Sequence, residues 1–209
     1  MRKGIVACGG MIVALVLLVV AFLGPWYIVS GSGILGANYN VGLYLTRMEV
    51  QGTFAGQDIS LSMGYAEAKV NAPNTDVNVE SFAAINTAMY LTLLALVTAL
   101  ISIICMVAFV FSKGKPKTMK LMGGLFGILT FLLALLPAVY FMYTGFVENS
   151  SGFWFSQAVL GMRLSGGPGY AWYLMIVVAV IAVISAVAIL LKKIVPEGVI
   201  SERLSAEPK

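Results

Sequence analysis

Side chains able to do acid–base, nucleophilic or metal chemistry are few in this sequence, and they are not spaced for it. The 209 residues include no histidine, so the usual near-neutral proton shuttle and metal ligand is missing. Cysteines and carboxylates do not cluster at metal-ligand spacing, and no serine has a base nearby. Gly123-Gly124 lies in an apolar run without a following Lys-Ser or Lys-Thr, unlike a phosphate-binding loop. We therefore predict a protein that is not an enzyme and holds no cofactor or metal.

The composition indicates a membrane protein instead. Hydrophobic residues make up 60% of the chain and charged residues 11%, against about 25% charged in soluble domains, and the mean hydropathy is +0.95. A helix needs about 20 apolar residues to cross a bilayer. Four uncharged runs qualify and predict a single four-span domain over residues 1–209, with spans at 4–23, 83–111, 121–143 and 171–191. Without intramembrane charges, the spans offer no proton relay or ion path.

The basic residues predict the orientation of these spans. One side of the membrane would hold the N-terminus, the loop 112–120 and the tail 192–209, with ten basic and three acidic residues. The other side would hold the loops 24–82 and 144–170, with three basic and six acidic residues. Because basic segments stay inside, we expect a multi-pass protein of the cell membrane with both termini cytoplasmic. The net charge of +4 then reflects topology and attraction to lipid headgroups, and we expect no nucleic-acid partner.

The first outer loop has the alternation typical of half-buried strands. Apolar and polar residues alternate around Val41, Leu43 and Leu45, and again around Ile59, Leu61 and Met63. Turn signals separate these runs at residues 31–33, 36–38 and 56–58. We predict a fold that is mostly α-helical, a four-helix bundle with a small antiparallel β-sheet formed by the extracellular loops.

The second outer loop holds a dense aromatic group, Phe153, Trp154 and Phe155. These rings are expected to cover the sheet, dip into the membrane interface or contact a partner. Asn149, with Ser150 and Ser151, forms a glycosylation acceptor pattern.

Every predicted span also carries small residues at helical spacing, which let helices approach closely in lipid. They serve either packing within the bundle or docking of another membrane protein: Gly10, Ala14, Ala88, Gly123, Gly127, Ala182 and Ala186.

Several residues give the chain a family resemblance. Trp26 follows the first span, Gly42-Leu43-Tyr44 lies in the first loop, and the aromatic stretch at residues 169–174 enters the fourth span. With four spans and a β-rich first loop, the chain resembles the claudin superfamily, which includes peripheral myelin proteins and calcium-channel gamma subunits. That family has Gly-Leu-Trp in the first loop, followed by a disulfide-bonded cysteine pair. Here Tyr44 replaces the tryptophan, and the only cysteines, Cys8 and Cys105, lie in apolar runs.

The resemblance implies adhesion, barrier formation or structural assembly through protein–protein contacts of the outer loop and helix faces. The expected partners are membrane lipids and other membrane proteins, or further copies of the chain in a homo-oligomer. An alternative is an accessory subunit of a larger membrane enzyme or channel. An ion-conducting channel or a transporter is a further alternative. In a channel, the outer acids would select cations: Glu49, Asp58, Glu67, Asp76 and Glu80.

Overall fold

A computed structural model of the protein describes residues 2–33, 37–54, 56–65, 67, 79–112, 117–144, 153–159 and 162–191. Asn149, residues 113–116 and the tail 192–209 lie outside this part of the chain, as do the acids Asp76 and Glu148.

Four helices make up most of the described structure: α1 (Arg2–Leu23), α2 (Val79–Phe111), α3 (Lys117–Thr144) and α4 (Tyr170–Leu190). Each is long and apolar enough to cross a membrane, so the prediction of a multi-pass membrane protein with four spans is confirmed. The 33 residues of α2 extend about 50 Å, which exceeds a hydrocarbon core of about 30 Å. Helix α3 begins at Lys117, so Lys117 and Lys120 are helical, although the sequence predicted a loop through residue 120.

The helices pack in chain order around a closed ring, in which α1 contacts α2 and α4, and α3 contacts the same two helices. Alanines on the inner faces are completely buried, including Ala14, Ala88, Ala182 and Ala186. Hydroxyl groups supply the polar contacts between α2 and α3: Ser102 donates to the carbonyl of Gly123 at 2.8 Å, and Thr130 bonds to Thr98 at 3.0 Å. Small residues and short polar side chains therefore hold the bundle together, as expected for helices in lipid.

Six antiparallel strands form one sheet: β1 (Pro25–Ser32), β2 (Asn38–Tyr44), β3 (Arg47–Phe54), β4 (Gln57–Gly64), β5 (Phe155–Val159) and β6 (Met162–Pro168). Their spatial order is β4-β3-β2-β1-β6-β5. The prediction of an antiparallel sheet is confirmed, and pairing of β1 with β6 joins both long loops into it. Gly31 and Ser32, where the sequence predicted a turn, lie inside β1.

The sheet is attached directly to the helix ends. Helix α1 ends at Leu23, two residues before Pro25. Pro25 cannot donate a helical hydrogen bond and is the first residue of β1. The backbone N–H of Gly169 donates to the carbonyl of Trp26 at 2.9 Å, and α4 begins at the next residue. The register divides the sheet into two ends. The end next to the helices contains residues 25, 44, 47, 64 and 168, and the far end contains residues 32, 38, 53, 58 and 163.

Candidate interaction surfaces on the sheet

The strand register sorts the sheet into a polar and an apolar face. Residues paired across antiparallel strands point to the same face. One level crosses all six strands with polar residues only, and we call it the polar row: Ser60, Gln51, Asn40, Ser30, Ser165 and Ser156. The level one residue further along has mostly apolar residues on the opposite face: Leu61, Val50, Val41, Val29, Gly166 and Phe155.

The apolar face is covered near the helices and open toward β4. Val29, Leu43 and Phe155 pack against the buried core. At β4, by contrast, Ile59 is 50% exposed and Leu61 is 48% exposed. The exposed apolar surface of the sheet therefore lies at its β4 side.

An aromatic cluster joins the sheet to the helices. Phe141 of α3 lies 5.7 Å from Trp26 and 6.3 Å from Phe153 between ring centroids. The Tyr27 hydroxyl donates to the carbonyl of Phe153 at 2.9 Å, and burial raises the pKa of Tyr27 to about 12. The Trp172 indole donates to the carbonyl of Ala138 at 2.8 Å. The hydroxyl of Tyr27 and the indole N–H of Trp172 therefore both have hydrogen-bond acceptors, as buried aromatic residues require, while the rings fill the space between sheet and helices.

The residues that carry the family resemblance fall into two places. Trp26 is buried in the aromatic cluster, where its indole donates to the carbonyl of Ala21 at 2.9 Å. Gly42, Leu43 and Tyr44 lie in β2. The Tyr44 ring lies over Gly42, and the hydroxyl of Tyr65 donates to the Tyr44 carbonyl.

An ion pair lies beside Tyr44 on the polar face. Arg47 donates to Glu49 at 2.7 Å, and the Arg47 guanidinium lies 4.6 Å from the centre of the Tyr44 ring. The hydrogen bond from Arg47 lowers the pKa of Glu49, while burial and then the nearby Glu49 carboxylate raise the pKa of Tyr44. The pair leaves this part of the sheet electrically neutral.

This ion pair predicts a small pH dependence of stability. Because folding lowers the pKa of Glu49, its contribution is present above the ordinary glutamate range and is lost as the pH falls through the lowered pKa. We expect Glu49→Gln to cost about 0.5 kcal/mol at pH 7 and less at pH 3, below the ordinary glutamate range. Thermal unfolding of the detergent-purified protein at both pH values measures the difference. Glu67→Gln is the exposed control, and a cost that does not decrease from pH 7 to pH 3 would refute this role for the carboxylate.

Strand β4 is the last strand at one edge of the described sheet. All eight of its residues pair in unbroken register with β3, and within the described ranges β4 has no partner on its other side. Natural edges are usually protected by lysine, proline, bulges or short length. The sequence of β4 contains neither lysine nor proline. By comparison, β5 at the opposite edge has only five residues.

The three aromatic residues predicted as partner contacts have different surroundings. Phe153 is buried in the cluster, and Phe155 lies over Gly166 on the apolar face. Trp154 is 53% exposed. Its indole lies over Gly167, in the space that a side chain at that position would occupy. Of the three, only Trp154 presents a large exposed ring.

The small residues predicted at helix contacts all lie at close approaches or in the core. Gly10 faces Ser185 of α4, Gly123 faces Met106 of α2, and Gly127 faces both Ala186 and Ser102. Ala14, Ala88, Ala182 and Ala186 are buried. These small residues are therefore mostly used for packing within the described bundle. Docking of another protein on the helices stays a prediction.

The edge position of β4 and the polar row were not identified from the sequence. The alternation at residues 58–63 predicted a strand, but only the strand order places that strand at an edge. Paired members of the polar row are separated by up to 135 residues in the sequence. An isolated serine, asparagine or glutamine does not indicate from the sequence that it belongs to such a row.

Comparison of the chain with protein-family models and with curated proteins finds no match. The resemblance to the claudin superfamily therefore stays a prediction. Both cysteines are free, and both lie in helices.

Proposed function

We propose that this protein is a non-enzymatic protein of the cell membrane, with cytoplasmic termini, that assembles with further copies of itself through its sheet. The observation that carries the proposal is the outer edge of β4, which has no partner strand among the described residues, together with its half-exposed Ile59 and Leu61. Such an edge presents unpaired backbone groups that can add a strand from another chain. Adhesion, barrier formation or structural assembly are the roles this contact supports.

The chemistry of β4 favours a second β4 as its partner. Two identical strands can pair antiparallel around a two-fold axis, which gives the self-complementary interface of a symmetric dimer. Asp58 is the only charged residue of β4 and lies near its start, so antiparallel copies centred near Ser60 keep their aspartates apart. Such a pairing also places Ile59 and Leu61 of both copies on one continuous apolar face, which buries area now open to solvent.

A lysine on β4 tests this contact. We expect Leu61→Lys to weaken self-association at least about tenfold, because two strands meeting there would bury like charges. Energy transfer between labelled copies in liposomes measures association within one membrane, and vesicle aggregation measures it between membranes. Ala158→Lys is the matched control, since it places a lysine on an exposed residue of β5 at the opposite edge.

The outcomes separate the proposal from its alternatives. A wild-type protein that stays monomeric at all lipid dilutions contradicts self-assembly, as does equal weakening by both lysine variants. Mild-detergent purification from native membranes provides a second comparison. One different membrane protein recovered at fixed stoichiometry, and lost with Leu61→Lys, would favour an accessory subunit that uses the same edge.

A further inference from the structure

A wide, open cavity lies on the polar face of the described sheet. Its volume is about 850 Å³, and residues from all six strands line it. The sheet must therefore curve around this space with its polar row facing inward. The cavity lies at the end of the strands far from the helices, where the register places Ser32, Asn38 and Thr53.

The lining consists mainly of uncharged hydrogen-bonding groups. Hydroxyls can both donate and accept, and the Asn40 and Gln51 amides each offer two donors and an acceptor. Ser30 donates to Asn40 at 3.0 Å, which holds that amide in place. The other polar-row side chains make no side-chain hydrogen bond within the described residues. They are therefore available to a ligand.

The charges around the cavity do not favour an ionic ligand. Asp58 and Arg163 are the charged residues of the lining, and they lie on β4 and β6, four strand spacings apart in the sheet order. Among the described lining residues, Arg163 has no second arginine or lysine beside it. A phosphate or nucleic-acid site would instead need several clustered cations.

An exposed aromatic ring borders the same face. Trp154 lies against Gly167. Gly167 is on the same face of the sheet as Ser165 and lies two residues closer to the helices along β6. That separation is about 7 Å along the strand. An aromatic ring beside hydroxyl and amide groups provides both an apolar surface and hydrogen-bonding partners.

We propose that this curved polar face binds a neutral glycan that lies across the strands. Sugar hydroxyls match the donor and acceptor groups of the polar row, and the apolar face of a sugar ring matches Trp154. The spacing of neighbouring strands, about 4.8 Å, is close to the length of one hexose unit in an extended glycan. The polar row thus offers one hydrogen-bonding group for each unit. This inference is independent of the β4 edge contact proposed above.

The test uses the full-length protein in nanodiscs with chitohexaose and maltohexaose as probes, followed by saturation-transfer NMR and calorimetry. We expect at least one of the two to bind. The double variant Asn40→Ala/Gln51→Ala should weaken it about tenfold, since it removes two amide groups worth about threefold or more each. The single variant Trp154→Ala should also weaken binding of the hexasaccharide. Gln57→Ala is the matched control, because Gln57 lies on the opposite face of the sheet.

Three results would overturn the proposal. They are no binding of either glycan at millimolar concentration, binding that the double variant leaves unchanged, or tighter binding of a sulfated hexasaccharide or an extended peptide at the same face. Because thermal unfolding is measured for every variant, loss of fold is distinguished from loss of binding. Self-association of the Asn40→Ala/Gln51→Ala variant should equal that of the wild type, so failure here and failure of the β4 contact give different results.

Discussion

Phe141→Ala is expected to destabilise the protein by about 3–5 kcal/mol, the usual cost of removing a buried phenylalanine. Phe141 is completely buried, and its ring lies within 6.4 Å of Trp26, Tyr27 and Phe153, measured between ring centroids. The lost ring would leave a cavity where α3 meets β1 and the second loop. Both the bundle and the sheet depend on this contact, so they should unfold at a lower temperature together.

Thermal unfolding in detergent, followed by helical circular dichroism and by proteolysis of the sheet, measures the effect. Phe141→Leu should cost clearly less because it refills part of the space. Tyr143→Ala removes a ring that is 68% exposed on the same helix and should change little. If Phe141→Ala and Tyr143→Ala melt alike, the aromatic cluster does not hold the sheet to the helices.

The helices were predictable because the bilayer imposes a simple requirement on them. A spanning segment must satisfy its backbone internally and expose apolar side chains, and long uncharged runs meet this requirement without tertiary information. The boundaries were less certain, as the polar first turn of α3 shows. Lys117 and Lys120 are helical because a helix can continue beyond the apolar run into the headgroup region, where lysine side chains extend to water.

The full extent of the sheet was not predictable, since two strands, β1 and β6, contradict their local signals. Gly166, Gly167 and Pro168 favour a loop, yet they belong to β6. The rings of Phe155 and Trp154 lie over these glycines and supply the packing that the glycines lack. Similarly, Gly31 continues β1 because the Tyr39 ring on β2 covers it. Tertiary contacts, which a single sequence does not contain, outweigh the local preference here.

Gly169→Ala is expected to destabilise the protein by about 3 kcal/mol, for a reason specific to the junction of sheet and bundle. Gly169 is buried between β6 and α4, and its N–H donates to the carbonyl of Trp26 at 2.9 Å. A methyl group at this position would overlap the Pro25 carbonyl and lie 3.3 Å from the carbonyl carbon of Trp26. These are backbone atoms, so the clash cannot be relieved by a side-chain rotation, and the start of β1 must move away from α4.

The backbone conformation of Gly169 separates this cause from conformational strain. Its φ is −75°, which alanine adopts readily, so a loss of stability would not come from backbone strain. Gly64→Ala is the matched control, because Gly64 ends β4 with open space where its side chain would be, and a strand glycine gains from the change. We expect Gly64→Ala to melt at or above the wild-type temperature and Gly169→Ala well below it. Equal melting temperatures would mean that the sheet does not sit against the fourth helix as closely as described.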